Sequence, residues 1–325
     1  MAVGNKQLHE IESVFDSYHI SPHYRQFGSV FLAPSRKPLF VLKPLKVGTV
    51  RAYLTGELLS QQERCPIIPH IVKTATGAYY RWQHGNRYLV TEKIPGRVAD
   101  YHSDKDFKAA IIAMSSFHRF AGQVLQSNPK RWAILQFCPK SQWPKRIKEM
   151  EICRERAIRF QDDPFSRKYL KMWHCFYELA FRVLQTLPCE SLSAAPTICY
   201  HDWAFHNVLI KNGQAHLIDF DDMIVDHSIH DRVNLISRYL RLHQWATSAL
   251  LKALWNFDRY YQWQKGELKL LGLYLSFPYE YWMLGRQYYI EKQPWSRSFY
   301  QDQWQRKIGF FEERLKILDL IESME

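Results

Sequence analysis

The chain has 325 residues, of which 46% are hydrophobic and 15% aromatic, so it can bury a substantial core. Its 44 Lys and Arg residues exceed its 32 Asp and Glu residues, for a formal charge of +12 at pH 7, but they are dispersed and accompany no nucleic-acid-binding motif. The N-terminus has no apolar signal region, and no window is apolar enough for a membrane helix. Six scattered cysteines without a C-x-x-C pair indicate a reducing compartment. We therefore predict a soluble globular protein made in the cytoplasm, with neither a membrane nor a nucleic acid as its partner.

Residues 1–96 are predicted to form a small lobe in which helices accompany an antiparallel sheet. The opening segment, Gln7–Tyr18, has apolar residues at the three- and four-residue spacing of an amphipathic helix. A hairpin follows with its turn at Pro34–Pro38, and a second helical pattern covers Arg51–Arg64. Short apolar or alternating runs predict strands at residues 29–32, 39–43, 71–74, 79–82 and 88–91.

The segment Glu92–Gly96 is predicted to end this lobe, because its Pro and Gly residues interrupt regular structure. Residues 97–325 are predicted to form a larger and mainly helical lobe. Its first helices are expected at residues 106–126, 142–160 and 164–187. A short β interval, Thr197–Asp219, separates these helices from those that follow, and it carries the most informative polar residues.

Within the β interval, Asp202, Asn207 and Asp219 follow one another in the order that phosphoryl-transfer enzymes use for a catalytic base and two metal ligands. Asp202 is predicted to be the general base that accepts or orients the proton of an acceptor hydroxyl. The oxygens of Asn207 and Asp219 are hard ligands that suit Mg²⁺. Asp221 and Asp222 are predicted to support the metal shell or to hold a substrate ammonium group. With the order of strands and helices, these residues predict an α+β, bilobal, protein-kinase-like fold.

The same interpretation requires a nucleotide site, and the small lobe supplies its candidates. Lys43 ends a strand-like run before a proline that favours extended backbone, and it is predicted to pair with the phosphates of ATP. Glu57 is preferred over Glu63 as the carboxylate that holds this lysine. Glu92 and Ile94, at the exit from the lobe, are assigned to nucleotide binding. ATP and Mg²⁺ are therefore the predicted cofactors.

These motifs resemble those of the aminoglycoside phosphotransferase/choline kinase-like superfamily. Within it, the chain is similar to the CotS-type spore-coat proteins of the YutH and YsxE kind. The stretches that carry the resemblance are Ile94–Arg97, Phe117–His118, His201–Asn207, Phe277–Trp282 and Arg286–Tyr289.

The resemblance implies phosphorylation of a hydroxyl group on an unidentified acceptor, with ATP and Mg²⁺ as cofactors. It also implies synthesis in the mother cell of a sporulating bacillus and deposition on the spore coat beside other coat proteins. Two positions depart from the superfamily pattern: Tyr200 replaces a His that usually braces the loop, and Gly28 is the lone glycine where a phosphate-covering loop is expected. A phosphotransferase and a pseudokinase that acts as a structural coat component both remain open.

Overall fold

The computed structural model describes residues 2–21, 23–33, 39–186 and 196–324. The chain folds as two compact units, the first formed by residues 1–135 and 197–225 and the second by residues 136–196 and 226–325. The predicted turn at Pro34–Pro38 and the end of the predicted helix at Leu187 lie outside the described residues. Among the described residues, no helix combines the length and the apolar character that crossing a bilayer requires.

An antiparallel sheet forms the N-terminal part of the first unit. Its strands are β1 (Arg25–Phe27), β2 (Val30–Ala33), β3 (Phe40–Leu45), β4 (Ile71–Val72), β5 (Arg81–Gln83) and β6 (Asn86–Glu92). They lie in the order β1-β2-β3-β6-β4, and β5 also pairs with β6. In this register Lys43 of β3 lies opposite Leu89 of β6. The sheet therefore places the predicted nucleotide-site lysine on a central strand.

Helix α1 (Ala2–Asp16) supplies the hydrophobic core of this sheet. Its Phe15, together with Leu42 of β3 and Val90 of β6, belongs to one buried apolar cluster. Because successive residues of a strand face opposite sides of a sheet, burying Leu42 against this cluster turns Lys43 to the other face. The Tyr18 hydroxyl stabilises the packing of α1 on the sheet, because it donates a hydrogen bond to the Tyr88 carbonyl at 2.7 Å. The pleat of β3, which buries Leu42, thus determines the face of the sheet on which Lys43 lies.

Helices α2 (Thr49–Leu59), α3 (Asp104–Ser127) and α4 (Pro129–Trp132) complete the helical part of the first unit. Helix α3 begins after Ser103, whose hydroxyl accepts a hydrogen bond from the backbone N–H of Asp106 and so satisfies an unpaired donor of the first turn. The Asp106 carboxylate also binds Arg97, which the exit segment supplies just beyond Gly96. Despite the burial of the carboxylate, this ion pair holds the pKa of Asp106 below its usual value. The start of α3 is therefore fixed to the segment that leaves the sheet.

A second β region holds the polar motif. Its strands are β7 (Arg97–Val98), β8 (Thr197–Cys199), β9 (Val208–Lys211), β10 (Gln214–Leu217) and β11 (Ile224–Asp226). Strands β9 and β10 form a hairpin whose two turn residues, Asn212 and Gly213, both have positive φ. Strand β7 pairs with the outer edge of β9, and β11 pairs with β8. The register of this hairpin brings the Asp202–Asn207 loop close to Asp219.

The second unit is helical. Its helices are α5 (Pro139–Arg159), α6 (Pro164–Thr186), α7 (Ile229–Leu242), α8 (Thr247–Tyr261), α9 (Glu267–Ser276), α10 (Tyr279–Gly285), α11 (Arg297–Ile308) and α12 (Phe311–Ser323). A single π-helical turn, Arg286–Ile290, follows α10. The core is aromatic: the ring of Tyr281 stacks on those of Tyr169 and Phe176, with centroids 4.3 and 4.5 Å apart. Stacked rings bury large apolar areas, which explains the density of aromatic residues in this part of the sequence.

Candidate active site

Lys43 reaches two acidic residues of the β10–β11 connection. Its ammonium group donates to Asp221 Oδ2 at 2.8 Å and also binds Asp219 Oδ1. Although burial disfavours the charge, the two carboxylates hold the pKa of Lys43 above its ordinary value. The residue predicted to bind phosphate and the residue predicted to bind metal are thus in direct contact.

The loop between β8 and β9 places Asp202 beside Asn207. Asn207 lies in a short 3₁₀ turn, is only 4% exposed, and donates from Nδ2 to Asp202 Oδ2 at 2.8 Å. The amide oxygen of the same side chain, Oδ1, is a hard ligand of the kind that coordinates Mg²⁺. His201, just before Asp202, has a φ of 73°, which is unusual for a residue with a side chain. Such backbone outliers concentrate where the surrounding structure enforces a functional geometry.

Tyr200 braces this loop from inside the protein. Its side chain is 0% exposed, and its hydroxyl lies within hydrogen-bonding reach of the Ile218 carbonyl and, at 3.3 Å, of the Asn207 carbonyl. Ile218 in turn donates its backbone N–H to the same Asn207 carbonyl at 3.0 Å. The tyrosine ring packs against Phe220, with centroids 5.0 Å apart. A tyrosine hydroxyl therefore ties the Asp202–Asn207 loop to the residue immediately before Asp219.

Four carboxylates, those of Asp202, Asp219, Asp221 and Asp222, face one another closely enough to interact electrostatically. Desolvation raises the pKa of Asp222, and repulsion from Asp202 and Asp219 raises it further. Burial likewise raises the pKa of Asp221 against the opposing effect of Lys43, and repulsion from Asp219 and Asp222 adds a smaller increase. Asp219 itself has a φ of 66°. An arrangement that concentrates negative charge on hard oxygen atoms fits a divalent cation such as Mg²⁺.

The predicted pairing of Glu57 with Lys43 is not what the structure shows. Glu57 instead binds Arg131 of α4, and its Oε2 is buried without a hydrogen-bond partner among the described residues. Arg51, near the start of the same helix, donates to the backbone carbonyls of Asp221 and Met223. Because six helical residues turn the direction of a side chain by about 120°, Arg51 and Glu57 belong to different faces of α2.

Sequence reasoning missed the role of Arg51, and no motif marks it. The contact becomes visible only when the phase of α2 about its own axis is known. The position of Asp221, two residues after Asp219, did indicate a role in the site. Its contact with Lys43 could not be predicted, because that contact depends on tertiary structure. Asp221, not Glu57, is therefore the second carboxylate on the lysine.

Glu92 and Ile94 lie where the chain leaves β6. The Glu92 backbone N–H donates to the His70 carbonyl at 2.8 Å, and its carboxylate lies 3.2 Å from His70 Nδ1. Among the described residues, the backbone of half-buried Ile94 makes no hydrogen bond. A Cβ on Gly96 would lie 2.9 Å from the carbonyl oxygen of Ile210, so only glycine lets the exit segment approach β9 this closely. The exit segment thus packs against the hairpin that directly follows Asn207.

The turn between β1 and β2 is the place of the expected phosphate-covering loop. Phe27 pairs with Val30, so the connection contains only Gly28 and Ser29. Gly28 has a φ of 58°, as a two-residue hairpin turn requires. A tight hairpin therefore replaces a multi-glycine loop at this position.

Lys43, the Asp202–Asn207 pair and the acidic Asp219–Asp222 segment together form the candidate active site. The chain belongs to the phosphotransferase enzyme family (APH), which it matches over residues 51–268.

Several solved structures share the fold of this chain. An aminoglycoside phosphotransferase from Alicyclobacillus acidocaldarius is 18% identical, with 96% of this chain and 95% of that chain covered and a TM-score of 0.76. Spectinomycin phosphotransferase APH(9)-Ia, solved with ADP and spectinomycin, is 14% identical over 98% of both chains, with a TM-score of 0.69. Amicoumacin kinase, solved with AMP-PNP and Ca²⁺, is 15% identical over 100% of both chains, with a TM-score of 0.62. The predicted bilobal α+β, kinase-like fold class is confirmed.

Proposed function

We propose that this protein transfers the γ-phosphoryl group of ATP to a hydroxyl group of a small-molecule acceptor, with Mg²⁺ as cofactor. The observation that carries the proposal is the contact of Lys43 with Asp219 on one side and the 2.8 Å hydrogen bond between Asn207 and Asp202 on the other. These are the parts that phosphoryl transfer requires, because the reaction depends mainly on positioning and charge compensation. Kinases of known structure in this fold bind ADP or AMP-PNP.

Each residue has a role that follows from its surroundings. Asp202 accepts or orients the proton of the acceptor hydroxyl, and the Asn207 amide holds its carboxylate in place. Asn207 and Asp219 would hold Mg²⁺, with Asp221 and Asp222 supporting the metal shell. The metal would supply positive charge to the phosphate oxygens during transfer. With the carboxylates engaged in this way, the Lys43 ammonium is available to the phosphates of the nucleotide.

The remaining parts of the proposed site hold the nucleotide. Glu92 and Ile94 lie at the exit from β6, where the free backbone groups of Ile94 suit the edge of an adenine ring. Glu57 contributes indirectly, through Arg131 and the position of α2. Arg51 fixes the acidic segment through its backbone carbonyls, so it serves as a positioning residue.

Intrinsic ATP hydrolysis tests the proposal without knowledge of the acceptor, because water can replace the hydroxyl. The parent protein should release ADP slowly in the presence of Mg²⁺ and not after chelation. Asp202→Ala should reduce ADP release by about 100-fold, since general bases contribute roughly 10²–10⁴ to rate. Its affinity for Mg-ATP should stay within about twofold, because the base is not part of the nucleotide clamp. ADP release that is equal in both proteins would contradict the role of Asp202.

A second candidate function is that of a kinase-like structural protein of the spore coat, and one turn favours it. The tight hairpin at Gly28–Ser29 stands where a phosphate-covering loop is expected, so it offers few backbone N–H groups to a nucleotide. We propose the coat location from the resemblance of the motifs and from the net charge of +12, which suits acidic assembly partners. A fluorescent fusion that stays in the mother-cell cytoplasm throughout sporulation would contradict this location.

A further inference from the structure

The second unit contains a hollow of about 710 Å³. It lies where the α5–α6 turn meets the π-helical turn and the start of α11. Four of its lining residues carry positive charge: Arg156, Arg159, Lys292 and Arg297. Four cations in one concave surface repel one another unless negative charge compensates them.

Among the residues that the structure describes, Asp163 is the single carboxylate that lines the hollow, and it already has partners. It accepts hydrogen bonds from the backbone N–H of Ser166 at 3.0 Å and from its hydroxyl at 3.3 Å, which caps the start of α6. It also interacts with the Tyr288 hydroxyl, and burial together with this carboxylate raises the pKa of Tyr288 to about 12. Its distance to Arg297 Nε, 3.9 Å, lies at the outer limit of an ion pair. One occupied carboxylate leaves most of the positive charge uncompensated.

The cations themselves are available to a ligand. Arg159 and Lys292 are exposed and have no acidic partner among the described residues. Arg156 uses one N–H group to bind the Tyr289 carbonyl, which positions its guanidinium group at the wall of the hollow. Lys292 has a φ of 52°, a conformation that few residues with side chains adopt.

The surrounding backbone adds to the positive potential. Helix α11 begins at Arg297, and its N-cap, Ser296, accepts from the Phe299 N–H at 3.1 Å, which leaves other N–H groups of the first turn free. The adjoining π-helical turn is a rare feature that often accompanies functional sites. The rings of Phe160 and Tyr288 form apolar parts of the wall.

We propose that this hollow is a second ligand site, outside the candidate active site, that binds a phosphate group. Arginine forks and a lysine point charge match the oxygens of phosphate. The aromatic side chains beside them would contact the organic part of a phosphorylated compound.

Calorimetric titration of the full chain with inorganic phosphate, at constant ionic strength, tests the proposal. The double variant Arg159→Gln/Lys292→Gln should weaken phosphate binding at least about tenfold, because it removes two charge-assisted contacts. The matched control Lys171→Gln/Lys316→Gln removes the same charge from exposed positions of the same unit, outside the hollow, and should change affinity less than about twofold. Lys43→Met should also leave this affinity unchanged, which separates the hollow from the nucleotide site.

Phenyl phosphate distinguishes the source of the phosphate group. Tighter binding of phenyl phosphate than of inorganic phosphate would assign the hollow to a phosphorylated organic compound, and equal binding would assign it to the free ion. The thermal midpoint at low salt adds a second readout: the double variant should melt at or above the parent, since repulsion is removed. Phosphate affinity that is unmeasurable in the parent, or equal in parent and double variant, would overturn the proposal.

Discussion

Removal of the Tyr200 hydroxyl should loosen the loop that carries Asn207. In Tyr200→Phe the buried ring keeps its contacts with Phe220, but the Ile218 carbonyl loses its donor. An unsatisfied buried polar group costs about 1–3 kcal/mol. At about 2–4 °C per kcal/mol for a domain of 150–250 residues, the thermal midpoint should fall by roughly 2–12 °C.

The control for this variant is Tyr18→Phe. Tyr18 is also buried and donates to a backbone carbonyl, that of Tyr88 at 2.7 Å, within the core beneath α1. Both variants should lose similar stability in thermal melts, whereas calorimetric titration with Mg-ADP should show weaker binding only in Tyr200→Phe. A Tyr200→Phe protein that melts with the parent would refute the hydrogen bond. Equal Mg-ADP affinity in parent and Tyr200→Phe would show that the brace does not serve the candidate site.

Three further variants test separate features. Asp222→Asn should stabilise the metal-free protein at neutral pH, because the pKa of Asp222 is raised and its ionisation opposes folding. Thermal melts across pH measure this effect. The difference in thermal midpoint between variant and parent should narrow as the pH falls through the raised pKa and Asp222 becomes protonated. Glu57→Gln should change Mg-ATP affinity less than about twofold by calorimetry, since Glu57 binds Arg131 and not the phosphate-site lysine; a tenfold loss, about 1.4 kcal/mol, would restore the original prediction. Gly96→Ala should destabilise the protein by about 1–3 kcal/mol in denaturant titrations, because its methyl group meets the Ile210 carbonyl; unchanged stability would contradict that close approach.

The motif around Asp202 was predictable because its parts are local. The turn residues Asn212 and Gly213 set a two-residue hairpin, and its register pairs Leu217 with Val208. That pairing places the residues just before Asp219 beside Asn207, so spacing in the sequence translates directly into proximity. The strand that carries Lys43 was predictable for a similar reason, since a short apolar run that ends in Lys43 before Pro44 favours extended backbone.

The partner of Glu57 could not be read from the sequence. Its contact depends on the rotation of α2 about its axis, which is decided by packing: Gly56 lies so close to Tyr79 that a Cβ would approach the Tyr79 Cβ to 2.3 Å. The periodicity of an 11-residue helix does not by itself fix its rotation, and therefore does not fix the direction in which Glu57 points. For the same reason, the contacts of Arg51 could not be predicted from the sequence. The replacement of the bracing His by Tyr200 was visible in the sequence, but its consequence required the position of the Ile218 carbonyl.

Magnesium-dependent nucleotide binding is the most direct test of the central claim. Calorimetric titration with AMP-PNP should show binding to the parent with Mg²⁺ and a loss of affinity after chelation. Asp219→Asn, which removes one carboxylate from the proposed metal shell, should weaken Mg²⁺-dependent binding by at least about tenfold, because a charged metal ligand becomes neutral. Absence of AMP-PNP binding, or affinity that is the same with and without Mg²⁺ in both proteins, would contradict a phosphotransferase site built on Lys43, Asn207 and Asp219.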